Sequence, residues 1–439
     1  MRRSIVTGSR TALAAAMALA ACAACAQSFA LRDGQTVVFY GDSITAQRFY
    51  TREAEEFVLT RYPALHIRFV NAGVPGDTAA GGYTGAMPER VARDVAPWRP
   101  DMITVLLGMN DGGWGYGRTA QIEADFQSRY KALLSALHQA APAAALTIVS
   151  PTPYDEITHG TEFPGYSRTI DRFAGDLRRI ATEMQTADDP PVFFADFHSP
   201  MVRALEQAHA RSPQLASLLI PDRIHPAEAS HWIMAVALMS AWRADPEVSS
   251  IALDASEGNI LGTDRAAVTD FSKSADGLAW TELEAALPLP LDLNNAMMRL
   301  VLGISGVADY DREMLRVASL APGRYALAID GRQAGTFSSL ELARGVNLAL
   351  RRTPMLSQAL RIASAEQQRA ELDQAQFILS ADIKQPPDSG IAEAVLRAAQ
   401  DELERQLREG LAPKPHRFTL RRVPASRPHP GAANSGTHG

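Results

Sequence analysis

Residues 36–46 read TVVFYGDSITA, and this stretch decides the fold. Its first five residues are β-branched or aromatic, which favours a strand that is buried on both faces. The run ends at Gly41-Asp42-Ser43, where a turn leads into a helical stretch. A serine at such a turn exposes its hydroxyl at the sheet edge, and the first N–H groups of the helix favour negative charge there. Ser43 is therefore a candidate nucleophile, although a serine that only caps the helix gives the same pattern.

Four more short apolar runs each stop at a polar or turn residue. They cover residues 66–70, 102–107, 145–149 and 192–195. Helical stretches separate these runs and close the region, at residues 46–61, 87–95, 120–140, 166–185 and 227–242. Strands that alternate with helices predict an α/β fold whose parallel sheet is covered by helices on both faces. In such sheets the functional site lies beyond the carboxyl ends of the strands.

Two polar motifs follow the second and third predicted strands. They are NAGVPG at residues 71–76 and GMND at residues 108–111. Gly76 offers a backbone N–H with no side chain in the way, and Asn110 offers its side-chain amide. Both groups are candidate donors to an oxyanion, with a turn glycine and a loop-capping asparagine as the alternatives. We interpret Asp111 as structural support for this loop.

The segment DRIH at residues 222–225 supplies a base and an acid. His225 is the candidate general base, and Asp222 would orient its imidazole and stabilise the charged form. The alternative is an aspartate that caps a turn beside a surface histidine. His198 is a rival base after the fifth strand, and a metal contact through Asp196 and His198 is a further alternative. We expect neither a metal nor an organic cofactor.

The order and spacing of these motifs resemble those of the SGNH hydrolase superfamily, also called GDSL esterases. The resemblance covers residues 36–245, and Ile44 stands where the name-giving leucine of the family motif stands. It implies a flavodoxin-like three-layer α/β/α fold. It also implies a triad of Ser43, His225 and Asp222, and an oxyanion hole of Ser43, Gly76 and Asn110.

A glycine-rich loop follows the asparagine motif and carries two aromatic residues, Trp114 and Tyr116. Both are candidate substrate-binding residues, because aromatic side chains stack on sugar rings or line an acyl pocket. An equally good interpretation is an aromatic anchor that packs the loop against the domain.

Composition excludes several classes of partner. The 439 residues are 46% hydrophobic and 21% charged, as in folded globular chains, and the net charge is −6. A mildly acidic protein is a poor candidate for binding nucleic acid or anionic membranes through bulk charge. We also expect no transmembrane segment in the mature chain.

The N-terminal residues predict a signal peptide over residues 1–26. A basic start with three arginines precedes an uncharged, alanine-rich stretch, and Ala24-Cys25-Ala26 is a small-residue cleavage site. We therefore expect export to the periplasm or the extracellular space. Residues 19–22 also resemble a bacterial lipoprotein box, so anchoring through a lipidated Cys22 is the alternative. Both cysteines of the chain lie in this segment, so cleavage after Ala26 would leave the mature protein without a disulfide.

The rest of the chain divides into three parts by composition. Residues 30–247 hold the hydrolase motifs, and residues 250–410 form a C-terminal α+β accessory region. Within the latter we predict a hairpin at residues 324–337 that turns at Asp330-Gly331, and helices at residues 365–379 and 391–408, the first capped by Ser364. Residues 411–439 are rich in Pro, Arg, His, Ser and Gly, which predicts a disordered tail.

These features together predict an exported serine ester hydrolase that acts through an acyl-enzyme on Ser43. We expect a small-molecule or polysaccharide ester as substrate. By analogy with the family, we expect a short acyl group such as acetyl on carbohydrate. A lysophospholipase or thioesterase of the same family is one alternative, and a non-catalytic carbohydrate- or envelope-binding protein is another.

Overall fold

The structure is a computed structural model that describes residues 29–115, 119–160, 162–185, 190–381 and 389–424. The predicted signal peptide and Tyr116 lie outside the described residues. Within these ranges, no helix is both long enough and apolar enough to cross a membrane.

A five-stranded parallel sheet forms the centre of the N-terminal region. Its strands are β1 (Thr36–Gly41), β2 (Arg68–Gly73), β3 (Met102–Leu106), β4 (Ala145–Val149) and β5 (Val192–Ala195). They lie in the order β2-β1-β3-β4-β5, and every neighbouring pair is parallel. This is the flavodoxin-like order, in which the direction of winding reverses between β1 and β3. The five strands predicted from apolar runs are confirmed.

Helices cover both faces of this sheet, as expected for right-handed crossovers. The helices of this region are α1 (Ser43–Ala46), α2 (Phe49–Arg61), α3 (Met87–Arg90), α4 (Thr119–Ala140), α5 (Tyr166–Met184), α6 (His198–Arg211), α7 (Pro213–Ala216) and α8 (Glu228–Ala241). Helix α3 continues as a π-helical turn (Val91–Val95) and a 3₁₀ turn (Ala96–Trp98). Helix α2 packs against α8, whereas α4 packs against α5 and the π-helical turn. The predicted three-layer α/β/α fold is therefore confirmed.

The C-terminal region contains two further sheets around a second apolar cluster. Its strands are β6 (Glu247–Asp254), β7 (Asn259–Asp264), β8 (Ala266–Ser274), β9 (Gly277–Glu284), β10 (Arg312–Ala318), β11 (Arg324–Ile329), β12 (Arg332–Ser338), β13 (Val346–Asn347) and β14 (His416–Arg422). One sheet has the order β13-β10-β6-β7 and the other has the order β8-β9-β14-β11-β12. The helices are α9 (Ala296–Ile304), α10 (Ser339–Arg344), α11 (Pro354–Ala381) and α12 (Ser389–Leu411).

The predicted hairpin is present, and its turn explains why. Strands β11 and β12 are antiparallel neighbours joined by Asp330 and Gly331. These two residues have φ angles of 49° and 77°. Positive φ at both central residues is the geometry that lets a two-residue turn follow the twist of the strands.

Two predictions for the C-terminal region are wrong. The expected disordered tail includes β14, which lies between β9 and β11 and buries Phe418 and Leu420. Ser364 is not a helix cap, because α11 begins ten residues earlier at Pro354 and runs through it. The hydroxyl of Thr353 accepts the N–H of Leu356 at 3.1 Å and caps this helix instead.

Buried carboxyl groups are an unusual feature of the C-terminal region. Glu282 and Glu284 on β9 and Glu313 on β10 are at most 4% exposed. Trp280 donates its indole N–H to Glu282, and Ser249 donates its hydroxyl to Glu284. Neither carboxyl oxygen of Glu313 has a hydrogen-bond partner among the described residues. Burial raises the pKa of Glu313 well above its ordinary value, and the neighbouring carboxyl groups act in the same direction.

Glu313→Gln is expected to stabilise the protein at pH 8 and to have little effect at pH 5. Since the folded chain holds the Glu313 proton more tightly, this group's contribution to stability is complete below about pH 4 and is lost as the pH rises through the raised pKa. A neutral glutamine cannot lose a proton and avoids that loss. The measurement is Tm at both pH values. Glu341→Gln is the control, because its exposed carboxylate has a lowered pKa and should gain nothing at pH 8. A lower Tm for Glu313→Gln at pH 8 would contradict the argument.

Candidate active site

Ser43 lies at the carboxyl end of β1, as its motif predicts. The Asp42 carboxylate accepts the N–H of Ile44 at 2.9 Å and so caps the short helix α1, of which Ser43 is the first residue. Gly41 is required at this turn, because a Cβ there would lie 2.1 Å from the Thr45 hydroxyl oxygen. Burial raises the pKa of Asp42 to about 7, against the effect of the Ile44 hydrogen bond. The turn therefore presents the half-buried Ser43 hydroxyl above the sheet edge.

The structure brings Ser43, His225 and Asp222 into one hydrogen-bonded line. The Oγ atom of Ser43 lies 2.8 Å from Nε2 of His225, and Nδ1 of His225 lies 2.6 Å from Oδ2 of Asp222. The other oxygen of Asp222 accepts the backbone N–H groups of Ile224 at 3.0 Å and His225 at 2.7 Å. An ionised carboxylate only accepts, so the His225 proton sits on Nδ1 and leaves Nε2 free to accept the serine proton.

The charge of Asp222 is maintained by its hydrogen bonds. Partial burial raises the pKa of Asp222, but bonds from the backbone and ring of His225 and from the N–H of Ile224 outweigh that effect. The net pKa lies below the ordinary value of an aspartate, so the carboxylate is ionised at neutral pH. This arrangement can orient an imidazole and stabilise its protonated form.

Gly76 and Asn110 lie in adjoining loops, which a hydrogen bond from the Asn110 side chain joins. Gly76 has a φ angle of 75°, which a glycine adopts without strain, and a Cβ added there would meet nothing within 4 Å. The Asn110 amide donates one hydrogen to the carbonyl of Asp77 at 2.9 Å. Its second hydrogen remains for a ligand, since an amide nitrogen carries two. Room at Gly76 and an uncommitted hydrogen on Asn110 are compatible with the two donor roles predicted from the sequence.

A buried ion pair that was not predicted from the sequence supports this glycine loop. Arg90 pairs with Asp77, and both side chains are fully buried. Arg90 also donates to the carbonyl of Ala72 at 2.5 Å, and its guanidinium lies 4.3 Å above the ring of Tyr40. Arg90 thus links the end of β2 to Asp77, whose carbonyl accepts the Asn110 amide. Asp77 follows Gly76 directly and could have been found on that ground, but no local signal marks Arg90.

Asp111 supports the same loop, in line with its interpretation as a structural residue. Its carboxylate accepts the N–H of Ala79 at 3.0 Å. Burial raises the pKa of Asp111 to about 7, against the effect of the Ala79 hydrogen bond.

Of the two aromatic candidates for substrate binding, Trp114 lies within the residues that the structure describes and Tyr116 lies outside them. Trp114 has a φ angle of 55° and stacks on Tyr166, with the ring centroids 5.1 Å apart. Phe163 lies 5.6 Å away on a neighbouring loop. Tyr166 donates its hydroxyl proton to the carbonyl of Met109. This packing fits the interpretation of Trp114 as an anchor of the glycine-rich loop, three residues beyond the predicted donor segment 108–111.

The rival base His198 is engaged elsewhere. Its Nε2 lies 2.7 Å from the Asp171 carboxylate, and its Nδ1 lies 3.2 Å from the carbonyl of Pro151. Asp196 accepts from Ser150, Ser199 and Arg178, so it tethers the start of α6. Among the described residues, no group of three or more His, Cys, Asp or Glu side chains is placed to hold a metal ion.

Comparisons with known proteins find a family match and a shared fold. Residues 39–233 match the model of the GDSL-like lipase/acylhydrolase family. A gut microbial diltiazem-metabolizing enzyme of known structure has the same fold, with a TM-score of 0.73, 23% identity, and coverage of 90% of this chain and 98% of that chain.

Smaller solved structures align with about half of the chain. An acetylxylan esterase from Geobacillus stearothermophilus is 23% identical over 48% of this chain and 96% of its own, with a TM-score of 0.37. A putative GDSL-like lipase from Parabacteroides merdae is 21% identical over 49% of this chain and 99% of its own, with a TM-score of 0.40. A search of curated proteins returns no match. The part of the chain that holds the site, residues 39–233, is thus similar to the GDSL-like lipase/acylhydrolase family, and this similarity supports an ester-hydrolysing enzyme of the SGNH type.

Proposed function

We propose that the protein is an exported serine esterase that removes short acyl groups, acetyl above all, from carbohydrate. The observation that carries this proposal is the line from Asp222 through His225 to Ser43. A nucleophile is activated when a base lies within hydrogen-bond reach and a third group orients that base. Both conditions hold here, since His225 lies 2.8 Å from Oγ of Ser43 and 2.6 Å from the Asp222 carboxylate.

In the first half of the reaction, Oγ of Ser43 attacks the ester carbonyl carbon and gives its proton to Nε2 of His225. The carbonyl oxygen becomes an oxyanion, which the N–H groups of Ser43 and Gly76 and the Asn110 amide stabilise. The bond from the carbonyl carbon to the alcohol oxygen then breaks. His225 returns the proton to that oxygen, and the acyl group stays on Ser43 as a new ester.

In the second half, water takes the place of the alcohol. His225 removes a proton from the water as it attacks the acyl carbon, and a second oxyanion forms in the same hole. When the bond to Ser43 breaks, His225 returns the proton to Oγ and the free acid leaves. Asp222 remains ionised throughout and stabilises the imidazolium in both halves.

The rim of the site supports a bulky alcohol part such as a sugar chain. The side chain of Asp222 is 55% exposed and that of His225 is 28% exposed. A base that reaches the surface can serve an acyl group attached to a large molecule. Trp114 is the proposed contact for a sugar ring at this rim, through whichever part of its indole the Tyr166 stack leaves uncovered. Export is part of the proposal and rests on the N-terminal segment, with anchoring at Cys22 as the alternative.

Acid release from a set of esters tests this proposal. The mature chain is expected to release acetate from p-nitrophenyl acetate and from an O-acetylated oligosaccharide, with rates that fall as the acyl chain of p-nitrophenyl esters lengthens. Faster hydrolysis of a long-chain lysophospholipid would instead indicate a lysophospholipase. Faster hydrolysis of a thioester would indicate a thioesterase. Absence of turnover on every ester, with binding of the oligosaccharide retained, would favour a binding protein.

Asn110→Ala is expected to lower kcat for p-nitrophenyl acetate by about 10²–10³-fold, the usual cost of one oxyanion donor. KM should change much less, because the donor acts most strongly on the charge that develops in the transition state. Steady-state kinetics of the purified variant check this. Asn294→Ala is a control, since this asparagine is exposed and lies in the C-terminal region. A kcat near that of the wild type would remove Asn110 from the oxyanion hole.

A further inference from the structure

The residue between Asp222 and Ile224 has an unusual backbone. Arg223 has a φ angle of 71°, in the left-handed region that favours glycine. Its N–H donates to the carbonyl of Ile220 at 3.1 Å, and its own carbonyl accepts the N–H of Asp155 at 2.9 Å. A glycine would adopt this turn with less strain. An arginine there calls for an explanation from its side chain.

That side chain crosses to the loop between β4 and α5. Nε of Arg223 donates to the carbonyl of Gly160 at 2.9 Å, and Nη1 lies 3.1 Å from the carboxylate of Glu162. The side chain is 27% exposed, whereas that of Glu162 is 59% exposed. The planar guanidinium is suited to this task, because it presents several N–H groups in a fixed fork and holds two acceptors at once.

A second contact joins the same two segments. Nε2 of His159 donates to the carbonyl of Ile220 at 2.9 Å, two residues before Asp222. The loop is also ordered from within, because the Asp155 carboxylate accepts the N–H groups of Ile157 and Thr158, each at 2.9 Å. Arg223 therefore fastens the acid and base segment to a loop with its own internal bonds.

The far side of this loop reaches the aromatic group at the rim. Phe163 lies 5.6 Å from Trp114 and 6.4 Å from Tyr154, both measured between ring centroids. The loop thus contacts the segment of Asp222 and His225 on one side and the proposed sugar-binding tryptophan on the other. This loop would therefore support both a sugar ring bound at Trp114 and the imidazole of His225.

We infer that Arg223 is a positioning residue, which holds Asp222 and His225 in register with Ser43 by fastening their segment to Gly160 and Glu162. This inference rests on the proposed function, since it assumes that His225 is the base. Misplacing a catalytic group by about 1 Å can cost on the order of 10²-fold in rate. The arginine at this turn is thus retained for alignment, although a glycine suits the backbone better.

The test compares Arg223→Gly with Arg243→Gly. Arg243 has a φ angle of 58° and an exposed side chain, so its replacement relaxes the backbone in the same way without touching the site. Arg223→Gly is expected to lower kcat for p-nitrophenyl acetate by about 10- to 100-fold with little change in KM. Its Tm should not fall below that of Arg243→Gly. Amide hydrogen exchange at His225, whose N–H bonds to Asp222, should speed up in Arg223→Gly alone.

Arg223→Lys keeps the charge and the backbone conformation but replaces the fork by a single point donor. We expect a kcat between those of the wild type and Arg223→Gly. If Arg223→Gly fails to fold, this variant decides the matter: a reduced kcat at unchanged Tm supports the inference, and a wild-type kcat overturns it. Ser43→Ala in the same assay distinguishes a failure of the proposed function from a failure of the role assigned to Arg223. Activity that survives in Ser43→Ala would refute the proposed function itself, whereas a dead Ser43→Ala beside a fully active Arg223→Gly would refute the role of Arg223 alone.

Discussion

Replacing Ser43 by alanine is expected to abolish ester hydrolysis, with a loss of kcat on the order of 10⁶. The reason is that the acyl group has no oxygen to transfer to, and His225 has no proton to accept from Oγ. The residual rate comes only from the oxyanion donors acting on water. The rival base His198 is not free to take over, because its ring is bonded to the Asp171 carboxylate and the Pro151 carbonyl.

The variant should fold as the wild type does. Ser43 is half-buried at the start of α1, and the cap of that helix comes from Asp42, whose bond to Ile44 is unaffected. The measurement is acetate release from p-nitrophenyl acetate together with Tm. Ser135→Ala, at an exposed position on α4, is the matched control and should keep full activity. If Ser43→Ala retained more than a small fraction of wild-type kcat, another group would have to be the nucleophile.

The central sheet could be predicted because its information is local. A strand buried on both faces is apolar at every position, so Val37, Val38 and Phe39 mark β1 without reference to any partner. The parallel arrangement then places the carboxyl ends of the strands at one edge. For that reason motifs as far apart in sequence as residues 41–43 and 222–225 could be expected to meet.

The errors in the C-terminal region have a different origin. Strand β14 reads HRFTLRR, and only two of its seven residues are apolar. It is stable because Phe418 and Leu420 are buried in the second apolar cluster, between partner strands whose paired residues lie 89 or more positions earlier in the chain. No local window contains those partners. The start of α11, by contrast, has a local sequence signal, a threonine cap followed by Pro354 at the first helical position.

The residues that support the site were the hardest to predict. Asp77, Arg90 and Arg223 each act through a contact with a distant segment, and their types are common on any protein surface. Arg90 is fully buried and Arg223 lies in a left-handed turn, and neither fact is visible in sequence. The chemically active groups could be predicted from the sequence because the reaction restricts their residue types and their order. Their supports are restricted only by the fold.

Arg61→Met is expected to destabilise the protein by about 3–5 kcal/mol, the usual cost of removing one partner of a buried ion pair. Arg61 ends α2, and its guanidinium donates to the carbonyls of Asp245 at 2.6 Å and Tyr310 at 3.2 Å, and to the carboxylate of Asp311 at 3.2 Å. Both charged side chains are fully buried. A methionine fills the space of the stem but leaves the Asp311 charge without a counter-charge.

The pH dependence of this loss has a definite sign. Burial raises the pKa of Asp311 to about 7, although the charge of Arg61 acts against the shift. Without Arg61 the pKa rises further, so the folded chain holds the proton of Asp311 more tightly than the unfolded chain does. The contribution of a raised carboxyl pKa is complete below about pH 4 and is lost as the pH rises through the raised value. The deficit of Arg61→Met should therefore be largest at pH 8 and smaller at pH 5.

A second substitution separates charge from packing. The Asp311 carboxylate also accepts the N–H of Leu289 at 2.9 Å, and an asparagine can keep that bond without a charge. The double variant Arg61→Met, Asp311→Asn should recover part of a fall in Tm on the order of 10 °C. Arg179→Met is the matched control, because Arg179 pairs with Glu183 at 3.1 Å in an exposed position and should cost at most about 1 kcal/mol.

Activity at 25 °C distinguishes this effect from those at the site. Arg61 lies at the opposite end of α2 from Phe49, the end that adjoins the Ser43 turn. A folded Arg61→Met should therefore hydrolyse p-nitrophenyl acetate at the wild-type rate while melting earlier. A variant that melts with the wild type would show that the pair contributes no net stability. A loss of kcat at unchanged Tm would instead mean that the contact between the two regions acts on the site, which the position of Arg61 gives no reason to expect.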